Sequence, residues 1–394
     1  MDKNIHIFVL GNNQAGGAQH SFLREAKIIE ERTSSKIYFI TAGKSQNTFN
    51  SEINTNSFEI LEFNNLLTYS PFKILSYALF LYSNIKRIIL LNPNSNLSCS
   101  HTTPLASLIC TTVCIILRVK NTRYRIGGLL YSKYLPFYIR KFGFIIDLYN
   151  LKFNKYISFV CLENKNQYLR SYPFLIKKSD QIDVFYSICT EISKYSNISI
   201  KEKYNNIETY KNKDKLKQDT NLLKLIKNKK IILTVINDKS KKGSKLFYKV
   251  SEKAIEDESF LFIHVGTRKF NKIKLVNKNL LIVPHTSNNE VFEWIKLSDL
   301  TMLLSKYPEG LAQVIPQSLF CGKPVFCFEN TGVSECILNG FNGYIIPNNF
   351  NESQISKSLR NLINSKNFEN ITSFTKSTKT YFYNRHSIEY FSET

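Results

Sequence analysis

Methionine and glycine are scarce, at 2 and 14 of 394 residues, and alanine is scarce as well. Asparagine, lysine and isoleucine are abundant instead. Biased genomic base composition produces the same pattern, so a single lysine or asparagine carries little functional weight. No Cys-x-x-Cys pair occurs among the eight cysteines, Cys99, Cys110, Cys114, Cys161, Cys189, Cys321, Cys327 and Cys336. Most stand in apolar runs, so the expectation is buried thiols in a reducing compartment rather than metal or disulfide roles. The longest apolar stretches, Phe72 to Leu91 and Leu105 to Val119, are interrupted by Arg, Lys, Ser or Asn. Neither reaches the roughly 20 apolar residues that span a bilayer. The start, MDKNIHIFVLGNN, lacks a charged region followed by a long apolar one, so no signal peptide is expected. The expected location is cytoplasmic, with at most a peripheral contact on the inner membrane face.

Acidic residues are also in deficit, 31 against 53 Lys and Arg, which leaves a formal charge of +22. A balance of that size favours anionic partners: phosphorylated small molecules, anionic lipid surfaces or nucleic acid. At 394 residues with 43% apolar content, two domains with sizeable cores are the natural expectation.

The pattern is α/β, with a mainly parallel sheet in each half. Ile5 to Leu10 reads as a strand, followed by the loop NNQAGGAQ and a helix over His20 to Glu31. Ile37 to Thr41 continues as a strand. Pro71 to Ser83 reads as a proline-started helix and Arg87 to Leu91 as a strand, with a helix over Pro104 to Leu117 and a strand over Tyr156 to Leu162. Residues 194–230 turn polar and Lys/Asn-rich, and read as a connection plus a solvated helix. Alternation then begins again. Ile231 to Ile236, Phe260 to Val265, Leu280 to Val283, Leu300 to Leu304 and Pro324 to Phe328 read as strands, with helices between them. The expected domains are 1–193, the connection 194–230, a second lobe 231–375, and a C-terminal helix 376–394 crossing back to the first. Two Rossmann-like lobes facing across a cleft would bind ligand at the carboxyl ends of their strands.

The richest segment is Tyr307 to Pro347, YPEGLAQVIPQSLFCGKPVFCFENTGVSECILNGFNGYIIP. Pro316 belongs in a helix's first turn, so the helix should start near Val314 and offer free amides around Gln313 to Ile315 to an anion. Glu309 precedes it, with Gly310 and Leu311. A carboxylate repels phosphate, so its natural partner is a neutral polyol. Gln317 lies one turn deeper, where an amide both donates and accepts.

This segment resembles the signature of glycosyltransferase family four, in which a Glu is followed after seven residues by a second Glu and then a Gly-x-Pro-Val turn. The resemblance implies that Glu309 binds sugar hydroxyls and Gln317 the nucleotide ribose. Gln317 replaces the family's Glu, which removes charge assistance. Thr331 to Glu335 and Asn339 to Gly343 resemble the family's tail. The segment NDKSKKG after Ile236 resembles its strand–Lys-Gly element. On that basis Lys242 neutralises the donor phosphates, where a compact charge stabilises the leaving diphosphate, and Asn237 stands where many members have Arg. Gly16 and Gly17 resemble the family's Gly-Gly-Ala loop. His101, in CSHTTP at a strand's end, is read as a core or capping histidine or as an acceptor-side polar group. Gly127, Gly128 and Arg125 are weaker cleft candidates. Tyr131 to Phe142 interleaves aromatics with Lys133, Arg140 and Lys141, which suits either an anionic membrane surface or a half-buried helix.

The resemblance implies a GT-B fold and an anomer-retaining hexosyltransferase. Its donor would be a nucleotide-diphosphate sugar, and its acceptor a glycan or lipid-linked molecule in bacterial surface polysaccharide assembly. No cofactor and no metal are expected, since no Asp-x-Asp pair stands in a suitable strand-end loop. Two other readings stay open: a sugar-nucleotide epimerase on the same fold, and a non-catalytic basic nucleic-acid-binding protein. The second predicts lysines on one face, whereas here they are dispersed, so nucleic acid is not an expected partner.

Overall fold

The first strand shows how the fold is built. Ile5, Ile7 and Val9 of β1 (Asn4–Leu10) enter one core, while Phe8 and Leu10 enter another on the opposite side of the sheet. A strand covered on both faces needs apolar residues at nearly every position, and parallel sheets demand such strands. The structure is a computed structural model. It describes residues 4–11, 17–33, 35–43, 58–65, 67, 70–127, 137–184, 207–210, 217–220, 225–236, 242–254, 257–306, 310–329 and 332–377.

Two compact units divide the chain, Met1–Ile188 and Cys189–Thr394. In the first, β1 is followed by α1 (Gly17–Arg32), β2 (Lys36–Ala42), β3 (Phe58–Phe63), α2 (Pro71–Leu91), β4 (Asn96–Thr102) and α3 (Pro104–Ile116). Then come β5 (Asn121–Ile126), α4 (Phe137–Phe153), β6 (Tyr156–Phe159), α5 (Leu162–Ser171), a 3-10 segment and β7 (Ile182–Val184). Seven strands form one sheet in the order β3-β2-β1-β4-β5-β6-β7, and every neighbouring pair is parallel. The order reverses between β1 and β4, which is the switch point of a doubly wound sheet.

The second unit contributes β8 (Ile207–Tyr210), β9 (Lys217–Thr220), β10 (Lys230–Val235), α6 (Ser244–Lys253), β11 (Phe260–Thr267), β12 (Lys274–Asn277) and β13 (Leu280–Pro284). It continues through α7 (Asn288–Leu297), β14 (Leu300–Leu303), α8 (Val314–Phe320), β15 (Val325–Phe328), β16 (Gly343–Ile346), α9 (Glu352–Ile363) and α10 (Lys366–Ser377). Nine strands order as β16-β15-β14-β10-β11-β13-β12-β8-β9. The switch point here lies between β10 and β14, which pair in parallel. Each unit is therefore Rossmann-like, with its own core.

Two expectations change, and a third lies mostly outside the described residues. Arg87 to Leu91 is not a strand; it completes α2, because Tyr77, Leu81, Ile85 and Ile88 recur at helical spacing and are all buried. By length and composition α2 is apolar enough to cross a membrane, but that buried stripe anchors it in the unit's core. The polar segment 194–230 is not merely a connection, for β8 and β9 form an antiparallel hairpin and β8 pairs with β12. An edge hairpin has no need of a continuous apolar run, so the sequence pattern hid it. The final helix expected over 376–394 falls mostly outside the described residues, which end with α10.

The first unit also buries an uncompensated carboxylate. Asp147 on α4 is fully buried and accepts the hydroxyls of Tyr124 (2.7 Å) and Tyr168 (2.6 Å). Burial raises its pKa to about 7 despite both donors. The folded state thus holds a proton that the unfolded chain releases near its ordinary value of 3.8. Stability must fall as pH rises between those values. Asp147→Asn should abolish that dependence and stabilise the first unit at pH 8 by up to about 4 kcal/mol, measured by urea denaturation across pH.

Candidate active site

The second unit's switch point is assembled by backbone approach. Strand β10 ends at Val235. Ile236 follows, and its carbonyl accepts from His264 Nε2 at 2.8 Å. The other imidazole nitrogen, Nδ1, therefore accepts the Tyr248 hydroxyl at 2.6 Å. His264 lies in β11 and Tyr248 in α6, so the exit of β10 is clamped from two elements. Gly266 (φ +113°) lies against the same carbonyl, where a Cβ would stand 2.7 Å from the oxygen.

Lys242 and Gly243 then lead into α6, with Gly243 as its N-cap. Gly243 has φ +88°, and a Cβ there would stand 2.2 Å from the Leu304 carbonyl oxygen. Glycine is needed twice over, for the left-handed backbone and for the close approach. That contact places half-buried Lys242 next to the chain leaving β14, which runs through buried Leu304 and Ser305 toward Gly310.

Gly310, Leu311 and Val314 are buried, and Gln313 caps α8 with helical backbone. The helix does begin at Val314, as Pro316 required. It is a single short stretch of 7 residues, however, and the Ile315 amide is already donated to Ala312 at 3.0 Å. The Ile315 amide therefore does not join the row of free amides expected from Gln313 to Ile315. Gln317 is 5% exposed, its backbone bonded to Gln313 within the helix. Ser318 anchors α8: its hydroxyl donates to Val314 O at 2.7 Å and meets the Thr301 hydroxyl of β14 at 2.7 Å. Glu309 and Asn237 lie outside the described residues, although their flanks, Lys306 and Gly310 or Ile236 and Lys242, all border the switch point.

The tail resembling the family's x-Gly-x-x-Gly is a structural turn. Asn342 Oδ1 accepts the Leu338 amide (2.7 Å) and its Nδ2 donates to Cys336 O (3.1 Å). Gly343 packs under Val325, leaving no room for a Cβ.

In the first unit the candidates divide. Gly16 and Gly128 are outside the described residues, and Gly17 opens α1. Gly127 follows β5 in open space. His101 is fully buried, with Nε2 bonded to Asn154 Oδ1 at 2.8 Å, and burial lowers its pKa. It is a core histidine, not a group open to an acceptor. Arg125 is equally buried. It donates to Glu25 (2.8 Å) and Ser21 (2.8 Å) of α1, Glu25 also takes Arg123, and burial pulls the Arg125 pKa down to about 10. The chain's own carboxylate occupies this guanidinium, which the sequence offered only as a weaker cleft candidate. Gly11, at the end of β1, had no assigned role. A Cβ there would stand 2.3 Å from Thr103 Oγ1, so it sets the first unit's switch point as Gly243 sets the second's. His264 likewise gave no signal in sequence.

Residues 217–379 match the family model for glycosyl transferases group 1. That match lies wholly within the second unit. No curated protein sequence matches the chain. Among solved structures, Anabaena Alr3699/HepE in complex with UDP and glucose aligns over 98% of this chain and 98% of its own, at 14% identity and TM-score 0.67. Sucrose-phosphate synthase from Thermosynechococcus elongatus aligns over 99% and 97%, at 11% identity and TM-score 0.71. WaaG, a glycosyltransferase involved in lipopolysaccharide biosynthesis, aligns over 96% and 95%, at 14% identity and TM-score 0.65. At such identities the likeness is one of fold, and that fold is GT-B, with two Rossmann-like domains.

Within the second unit, Gly243→Ala should force the Lys242 turn away from Leu304. Strain of about 1–3 kcal/mol is expected. Calorimetry should read that loss together with weaker nucleotide diphosphate binding, whereas Gly340→Ala, left-handed but in open space, should spare binding.

Proposed function

We propose that this protein transfers a sugar from a nucleotide-diphosphate sugar to a glycan or lipid-linked acceptor, with retention of anomeric configuration. The setting is assembly of a bacterial surface polysaccharide at the cytoplasmic face of the inner membrane. The observation that carries the reading is the Gly243–Leu304 approach, which joins the Lys242 turn to the β14 exit at one switch point. The group 1 match over 217–379 supports it, as do the UDP and glucose of the Anabaena complex and the lipopolysaccharide role of WaaG.

In this reading the bond between the anomeric carbon and the diphosphate oxygen breaks, and its electron pair leaves with the nucleotide. An acceptor hydroxyl bonds to that carbon and passes its proton to the departing diphosphate. Lys242 stabilises the growing charge on the diphosphate, with amides of the 310–314 segment beside it. Glu309 accepts hydroxyls of the transferred sugar, and Gln317 meets the ribose. The exposed Phe72, Leu75 and Leu79 of α2, next to Lys73, support contact with an anionic membrane surface.

A panel of nucleotide sugars with candidate acceptors, read by nucleotide release and product mass, tests the proposal. Glu309→Ala should abolish transfer while the protein stays folded, and Lys242→Ala should weaken nucleotide diphosphate binding by about 1.5–3 kcal/mol. Wild-type turnover by Glu309→Ala would sink the site. Epimerisation of a nucleotide sugar without acceptor, or thermal stabilisation by oligonucleotides alone, would replace the reading altogether.

A further inference from the structure

The first unit's core contains a thiol cluster on the face of β4 turned to α3. Cys99 lies on β4, and Cys110 and Cys114 lie one turn apart on α3. The sulfurs of Cys99 and Cys110 are 3.6 Å apart and those of Cys110 and Cys114 4.0 Å, and all three lie within 4.8 Å of one another. All three are buried. A metal ion bound by three thiolates at about 2.3 Å would hold its sulfurs about 4 Å apart, the spacing present here.

Unpartnered buried polar groups on the elements that carry and cover the cluster are the second observation. Tyr77 Oη, Ser107 Oγ and His101 Nδ1 are buried and have no hydrogen-bond partner among the described residues. Groups of this kind are normally satisfied, and each exception calls for an explanation. His101 is the most informative. Asn154 Nδ2 donates to Asn150 O and Thr111 Oγ1, which fixes Asn154 Oδ1 as the acceptor of the Nε2 proton. The neutral ring then presents a bare Nδ1 lone pair, two residues along β4 from Cys99. Its ring nitrogens are not among the ligand atoms that lie within 4.8 Å of one another, so the three sulfurs alone make up the cluster.

We propose that Cys99, Cys110 and Cys114 bind one thiophilic metal ion of the zinc class as a structural three-thiolate site in the first unit. The ion locks β4 to α3 and takes no part in sugar transfer. The proposal stands whether or not the transferase reading holds. Close-packed neutral thiols are the competing account, and they predict no metal.

The test uses the full chain, produced in zinc-supplemented and in cadmium-supplemented medium. Stoichiometric metal should survive gel filtration. X-ray absorption should count three sulfur neighbours, and the cadmium form should show a thiolate charge-transfer band in the ultraviolet. Cys110→Ala should lose the metal and melt lower, while Cys327→Ala, a buried thiol of the second unit, should keep it. Metal-free protein from both media, a coordination shell of nitrogen and oxygen only, or unchanged uptake in Cys110→Ala would each overturn the proposal. Should Cys110→Ala fail to fold, the sulfur count on the unmodified chain decides alone.

Discussion

The second unit depends on one steric fact: the backbone of residue 243 lies against the carbonyl of Leu304 with no room for a Cβ. β10 and β14 are neighbours in the sheet, so their exits emerge side by side, but adjacency alone leaves the following loops free to diverge. Gly243 fixes them together. Its effect is reinforced from behind, where His264 and Gly266 hold Ile236, and from the side, where Ser318 ties α8 to Thr301. The geometry of the site is thus set mainly by backbone and small side chains, which are costly to replace and do not swing between rotamers.

Much of this was legible in the sequence, and the reasons differ by element. Strands β1, β10, β11 and β14 are buried on both faces and read as apolar runs. Pro316 located the start of α8, and the Lys-Gly pair after β10 marked the turn that bears Lys242. The failures have physical causes. Arg87 to Leu91 holds β-branched and apolar residues in a run too short to show its period, and only the buried Ile85 and Ile88 reveal the helix. The β8–β9 hairpin lies at a sheet edge, so no continuous apolar signal was required of it. His101 and Arg125 carry functional-looking chemistry at strand ends, yet their partners, Asn154 and Glu25, are distant in sequence. No local pattern could have shown that those groups were already engaged.

The units differ in what they bury. The described core of the second is dominated by aliphatic and aromatic side chains from both sheet and helices. The first adds a set of buried polar knots: Arg123 and Arg125 around Glu25, Asp147 between two tyrosines, and His101 with Thr111, Asn150 and Asn154. Such networks add little net stability, because desolvation offsets most of the attraction. They do restrict how α1, α4 and β5 can pack, since a displaced partner would strand a buried charge.

The division of the chain at Ile188 and Cys189 also bears on how the molecule is made. All seven strands of the first sheet lie on the N-terminal side of that point, including the late-arriving β6 and β7. Parallel sheets fold slowly because every pairing closes a long loop, and exposed edges during that interval invite aggregation. Here the first sheet can close while the second is still being translated. At no stage need two half-built parallel sheets, with their unpaired edges, compete within one nascent chain.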